Sequence, residues 1–190
     1  MTVKDMHRFY IDGAWVEPLQ PENYGVLNPA TEEVIGSISL GSTEDIDRAV
    51  AAARNAFESF SNTSKQDRIE LLERILAVYK QRYDEMAEVI CLELGAPISM
   101  SKNSQAAVGV GHLEGFLQAL DELKTQETLA NGDTLLREPV GVCGLITPWN
   151  WPVNQVALKV LPALATGCTV VLKPSELTPL SAMLYADILH

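Results

Sequence analysis

At 190 residues the chain has room for one generous domain or parts of two. Its 47% hydrophobic and 21% charged residues exclude a disordered chain, and a formal net charge of −11 disfavours non-specific binding to nucleic acid or to an anionic membrane surface. The opening stretch, MTVKDMHRFY, lacks the apolar core of a signal peptide and the arginine-rich bias of a transit peptide, and no apolar run approaches the ~18–20 residues of a membrane span, so the expectation is a soluble, cytoplasmic protein.

In chain order, Arg8 to Val16 places Asp12-Gly13 between two apolar-rich pieces, which predicts a hairpin with a two-residue turn. Glu33 to Leu40 is a further short strand, with Val34, Gly36, Ile38 and Leu40 on one side. Ser42-Thr43-Glu44-Asp45 then offers a helix cap with acids in the first turn, where they suit the helix dipole. Behind it Ile46, Ala49, Val50, Ala53, Phe57 and Phe60 recur at helical spacing. A second helix is predicted from about Lys65 to Leu94, with Ile69, Leu72, Leu76, Tyr79, Tyr83, Met86 and Ile90 along one stripe and Gly95-Ala96-Pro97 as its stop. A third runs from about Ser99 to Leu123, and Gly109, Gly111 and Gly115 dilute its apolar side.

From Asn131-Gly132 the character changes, and a boundary is placed near 130–140. Thr134 to Arg137 leads into a glycine-spaced apolar strand, Val140 to Ile146, and then the segment TPWNWP (147–152). A helix from about Val153 to Thr166, a strand from Cys168 to Leu172, the element Lys173-Pro174-Ser175-Glu176 and a helix from about Pro179 to His190 follow. Strand–helix–strand order with both strands apolar throughout predicts an α/β fold whose parallel sheet is buried on both faces. Two strands are too few for such a sheet, and the sequence stops inside an amphipathic helix, so the expectation is an incomplete fold.

Asn150 comes at the carboxyl end of the first parallel strand, where ligands of open α/β sheets bind. Its amide donates two hydrogen bonds without carrying charge, which suits a developing oxyanion; the competing reading is a helix-capping asparagine beside Pro152. Lys173 and Glu176 follow the second strand and can share the vicinal hydroxyls of a sugar, or simply form a solvated helix start. No G-x-G-x-x-G lies between the strands. Lys159 either points at the site or snorkels to solvent. Cys91, Cys143 and Cys168 have no metal-ligand spacing and read as small buried hydrophobes in a reducing compartment; the scattered His7, His112 and His190 form no metal site or triad.

The segment EPVGVCGLITPWNWPVNQVALKVLPALATGCTVVLKPSELTPLSA (138–182) closely resembles the aldehyde dehydrogenase superfamily, and the Asn28-Pro29-Ala30-Thr31 turn, the AVAAARNAF helix (49–57) and Glu93-Leu94-Gly95-Ala96-Pro97 extend the resemblance upstream. It implies the amino-terminal part of that fold: residues 1–130 as strands and a helical layer, and 131–190 as the start of a Rossmann-like cofactor-binding unit with part of the oligomerisation strands. It implies oxidation of an aldehyde to a carboxylic acid with NAD or NADP, by a cysteine thiolate, hydride transfer to the nicotinamide and hydrolysis of the thioester, in a homo-oligomer (dimer or tetramer). By the same resemblance Asn150 helps form the oxyanion hole, Lys173, Ser175 and Glu176 bind the adenosine ribose, and the backbone of Ile146, Thr147, Pro148 and Trp149 lies along the cofactor.

Glu176 near a ribose 2′-hydroxyl favours NAD over NADP, a preference that Lys173 softens. None of the three cysteines occupies the family's nucleophile motif, which lies downstream together with the general-base glutamate, so the chain alone is expected to be inactive. Two other readings stand beside this one: a non-catalytic truncated form that pairs with full-length subunits through its sheet edges, and a fragment of a related acylating enzyme in which coenzyme A replaces water.

Overall fold

The computed structural model describes residues 6–190; the first five residues, half of the stretch read above for targeting signals, lie outside them. Strands β1 (Phe9–Ile11) and β2 (Ala14–Val16) pair antiparallel around Asp12 and Gly13, both with positive φ (55° and 71°), as a tight primed turn requires. Next come β3 (Glu22–Asn28) and β4 (Glu33–Leu40), antiparallel with a register shift between Val26 and Leu27. The periodicity gives no sign of β3, because only Val26 among its residues is buried.

Helix α1 (Thr43–Phe60) starts at a reciprocal capping box, in which the Ser42 hydroxyl accepts from the Asp45 amide and the Asp45 carboxylate accepts from the Ser42 amide at 3.0 Å. Its apolar stripe is only partly covered: Ala53 is buried, whereas Ile46 and Val50 face solvent. The expected helix over 65–94 is two helices, α2 (Lys65–Gln81) and α3 (Tyr83–Leu94), broken at Arg82 (φ −103°, ψ 15°). The apolar stripe runs through the break, with Leu72, Tyr79, Met86 and Ile90 all buried, so spacing alone does not reveal it. What marks the break is polar: the Arg82 guanidinium is clamped between Glu85 and Asp187.

Gly95 closes α3 in the left-handed conformation (φ 72°), as its position before Ala96-Pro97 predicts. A Cβ there would also stand 2.7 Å from Pro29 Cγ. Gly95→Ala is therefore expected to lower stability by about 1–3 kcal/mol, read as a fall in the urea midpoint.

The third predicted helix is a composite. A single turn, α4 (Ile98–Met100), passes into a π-helical segment, Ser101–Ala106, and then into α5 (Ala107–Glu122). Two tyrosine hydroxyls hold the irregular part: Tyr79 donates to the Ala106 carbonyl at 2.8 Å, and Tyr83 donates to the Lys102 carbonyl. A hairpin of β5 (Gln126–Thr128) and β6 (Thr134–Leu136) follows, largely exposed.

The last unit is β7 (Val142–Ile146), α6 (Pro152–Ala165), β8 (Thr169–Lys173) and α7 (Leu180–Leu189). β7 and β8 pair in parallel, Val142 opposite Thr169 through Ile146 opposite Lys173. The expected burial on both faces is not met: Gly144 and Ile146 are exposed, because two strands and the nearby helices leave part of the sheet uncovered. Helix α1 reaches the sheet through Thr169, whose hydroxyl donates to the Ala53 carbonyl at 2.8 Å. The core lies among the helices, where Leu72, Tyr79, Leu113, Val156, Leu161 and Tyr185 are almost wholly buried. No helix of the described residues is long and apolar enough to cross a membrane.

Candidate active site

The carboxyl ends of β7 and β8 lie side by side, because Ile146 and Lys173 are register partners in the parallel ladder. The ladder extends one step further, with the Thr147 amide donating to the Lys173 carbonyl at 3.3 Å. Two loops therefore leave the sheet at one edge, 147–151 toward α6 and 174–179 toward α7. This edge is where an open parallel sheet receives its ligand.

Along the first loop Thr147 is buried, while Ile146, Pro148, Trp149 and Asn150 are exposed. The capping reading of Asn150 does not hold. Residue Trp151 is the N-cap of α6, no side chain makes the cap bond, and Pro152 supplies the first turn with a residue that has no amide hydrogen to satisfy. The Asn150 amide is thus left at the open edge with its two donors uncommitted to the helix.

On the second loop, Lys173 Nζ lies 2.7 Å from Glu176 Oε2, with both side chains about half exposed. The Lys173 ammonium beside it, together with backbone N–H donation, holds the Glu176 carboxyl below the usual range. An exposed pair of this kind adds little to stability. It leaves a donor and an acceptor side by side at the strand end, which is the combination that vicinal hydroxyls need. Ser175 is buried and works on the loop itself: its hydroxyl accepts from the Leu177 amide at 3.2 Å and its carbonyl from the Thr178 amide at 3.3 Å. The two loops touch through Thr178, whose hydroxyl donates to the Trp149 carbonyl at 3.4 Å.

Lys159 reaches back along α6 toward its amino-terminal turn, donating to Gln155 Oε1 at 3.1 Å. Cys168 is buried at the opposite, amino-terminal end of β8, about 16 Å of strand from Lys173, and Cys143 is half-buried within β7. His7 pairs with Ser37, His112 with Asn154 and His190 with Tyr10, so each histidine is engaged in the scaffold. Among the described residues no group of three or more His, Cys, Asp and Glu gathers as a metal site.

Spacing did not single out two residues that shape this edge. One is Thr178, legible only as a Thr-Pro before a helix. The other is Glu93, 2% exposed, whose carboxylate reaches the first amides of α7. Burial pushes its carboxyl up to about 7, with hydrogen bonds from the start of α7 pulling the other way.

The family model described as the aldehyde dehydrogenase family matches residues 15–190. The chain belongs to the aldehyde dehydrogenase family. It is 50% identical over 187 residues to a 3-succinoylsemialdehyde-pyridine dehydrogenase of a Pseudomonas species, covering 98% of this chain and 39% of that aldehyde dehydrogenase relative. Its fold matches the crystal structure of an aldehyde dehydrogenase from Bartonella henselae with a TM-score of 0.95 at 49% identity, over 97% of this chain and 40% of that one. An aldehyde dehydrogenase C from Pseudomonas syringae, complexed with NAD+ and octanal, matches with a TM-score of 0.94 at 48% identity, over 97% and 38% of the two chains. The chain thus corresponds to an amino-terminal portion of aldehyde dehydrogenases, spanning about 39% of the length of the curated relatives it matches.

Proposed function

We propose that this chain supplies the oxyanion amide and the adenosine-ribose site of an NAD-dependent aldehyde dehydrogenase whose nucleophilic cysteine lies outside it. The observation that carries the reading is the shared edge: Asn150, freed from capping, and the Lys173–Glu176 pair stand on adjacent loops at the carboxyl ends of β7 and β8. NAD fits this edge because the carboxylate and ammonium present an acceptor and a donor to the ribose hydroxyls, and the carboxylate repels a 2′-phosphate. Lys173 and Glu176 would hold the adenosine end, with the buried Ser175 shaping the loop that carries them, and the Ile146–Trp149 backbone would run beside it. When bound, NAD supplies the hydride acceptor. The chain's own contribution to the chemistry is Asn150: as a thiolate adds to an aldehyde, the carbonyl oxygen gains charge, and the amide donates to it without a counter-charge of its own.

The setting we infer is a cytoplasmic homo-oligomer. The exposed β5–β6 hairpin supports association, since it carries Leu135 beside Leu136 (57% exposed) and is a two-stranded sheet with unpaired edges.

The test is reconstitution. Purified alone with NAD and a straight-chain aldehyde, these 190 residues are expected to form no NADH. Co-expressed with the remainder of an aldehyde dehydrogenase carrying the cysteine motif, they are expected to give aldehyde-dependent NADH. Turnover by the chain alone would overturn the assignment of the nucleophile, and failure of a folded reconstituted pair to turn over would overturn the assigned activity.

A further inference from the structure

Glu93 makes none of the contacts discussed for substrate or cofactor, yet its placement is costly. It lies in the last turn of α3, at the negative end of its own helix dipole, and is 2% exposed. No basic side chain among the described residues pairs with it, although an isolated buried carboxylate is strongly disfavoured. Its partners explain why it is tolerated. Oε2 accepts from the Leu180 amide at 2.6 Å and Oε1 from the Ser181 amide at 3.1 Å. These are the first two amides of α7, and the residue in the N-cap position, Pro179, offers no side-chain acceptor. A carboxylate from α3 therefore does for α7 what its own cap residue cannot, at the positive end of that dipole.

Helix α7 is also where the second site loop ends. From Leu180 the chain leads back two residues to Thr178, itself 3% exposed, which holds the Ser175 carbonyl with its amide and the Trp149 carbonyl with its hydroxyl. A continuous set of contacts thus runs from Glu93 through the start of α7 to both loops at the sheet edge.

We propose that Glu93 is a positioning residue: by capping α7 from α3 it fixes the Lys173–Thr178 loop against the Thr147–Trp151 loop and so sets the spacing between the ribose-binding pair and Asn150. This rests on the reading of those loops given under Proposed function. Glu93 acts through the backbone of α7 and touches neither aldehyde nor NAD.

The test compares the full chain with Glu93→Leu, which removes both acceptors at similar volume, and Glu93→Gln, which keeps one. Amide hydrogen exchange is followed by mass spectrometry without ligand, and NAD affinity is measured separately by calorimetry. In Glu93→Leu, peptides covering 174–181 are expected to exchange about tenfold faster while those of α2 and α5 keep their protection. Glu93→Gln is expected to fall between, and NAD affinity to follow the same order. Should Glu93→Leu fail to fold, the comparison of Glu with Gln decides, with faster exchange confined to 174–181 expected. Unchanged exchange at 174–181 in the folded variants, or an increase spread evenly over α2, α3 and α5, would overturn the proposal. Local loosening in a wild-type background that binds no NAD would uphold the anchoring and refute the ribose-site reading instead.

Discussion

Asn150→Ala, in the enzyme formed by this chain and a nucleophile-bearing remainder, is expected to lower kcat for aldehyde oxidation by about 10²–10³-fold. The reason is differential: the amide meets a neutral carbonyl in the ground state and a charged oxygen in the transition state, so the contact strengthens as the reaction proceeds. The KM for NAD should hardly change, because Asn150 sits on the loop beside the Lys173–Glu176 pair and not in it. Stability should hardly change either, since Asn150 is exposed and α6 is capped at Trp151 without a side-chain bond. Steady-state kinetics with a thermal melt as control checks both statements. A loss below about fivefold would remove Asn150 from the oxyanion site. A fall in the melting point matching the fall in rate would make it a structural residue.

Gly109→Ala is expected to be the most destabilising small change in the helical layer, by about 2–4 kcal/mol. A Cβ at Gly109 would stand 2.3 Å from Tyr79 Oη and 2.4 Å from Cζ. Tyr79 has nowhere to go: its side chain is fully buried, and its hydroxyl donates to the Ala106 carbonyl at 2.8 Å. Accommodating one methyl therefore means shifting a buried ring and giving up a buried hydrogen bond, two costs that add. Urea unfolding followed by far-UV circular dichroism measures the change. Gly111→Ala is the control, because a Cβ there meets nothing within 4 Å. Equal midpoints for the two variants would show that the Tyr79 contact is not tight.

Where local chemistry and periodicity agree, the fold is readable without coordinates. The Asp12-Gly13 turn, the Ser42 cap, Gly95 as a helix stop and the parallel pair flanking α6 all follow from short-range rules. What periodicity hides is irregularity inside a continuous apolar stripe. The break at Arg82 preserves the stripe, and the π-helical turn at 101–106 is set by contacts with Tyr79 and Tyr83 from distant positions. Strand β3 escapes for the opposite reason: it is half-exposed and polar, held by pairing with β4 more than by burial. At the site, TPWNWP and K-P-S-E stand out by residue type and position, and the structure adds that their loops share one edge. Glu93 shows the limit. It enters the sequence reading only as part of the Glu93-to-Pro97 resemblance, without a role, and only the docking of α7 against α3 reveals that it is buried and caps another helix.

The reading of β7 and β8 as the NAD-adenosine edge is most directly tested by calorimetric titration of NAD, and separately of NADP, into the chain and its Lys173→Ala and Glu176→Ala variants. Saturable NAD binding is expected, tighter than that of NADP, with affinity falling about tenfold in each variant as one ribose partner is lost. The preference for NAD is expected to narrow most when Glu176 is removed, because the carboxylate is the group that repels a 2′-phosphate. NAD binding equally tight in all three proteins, or absent from the folded wild-type chain, would contradict the assignment of this edge.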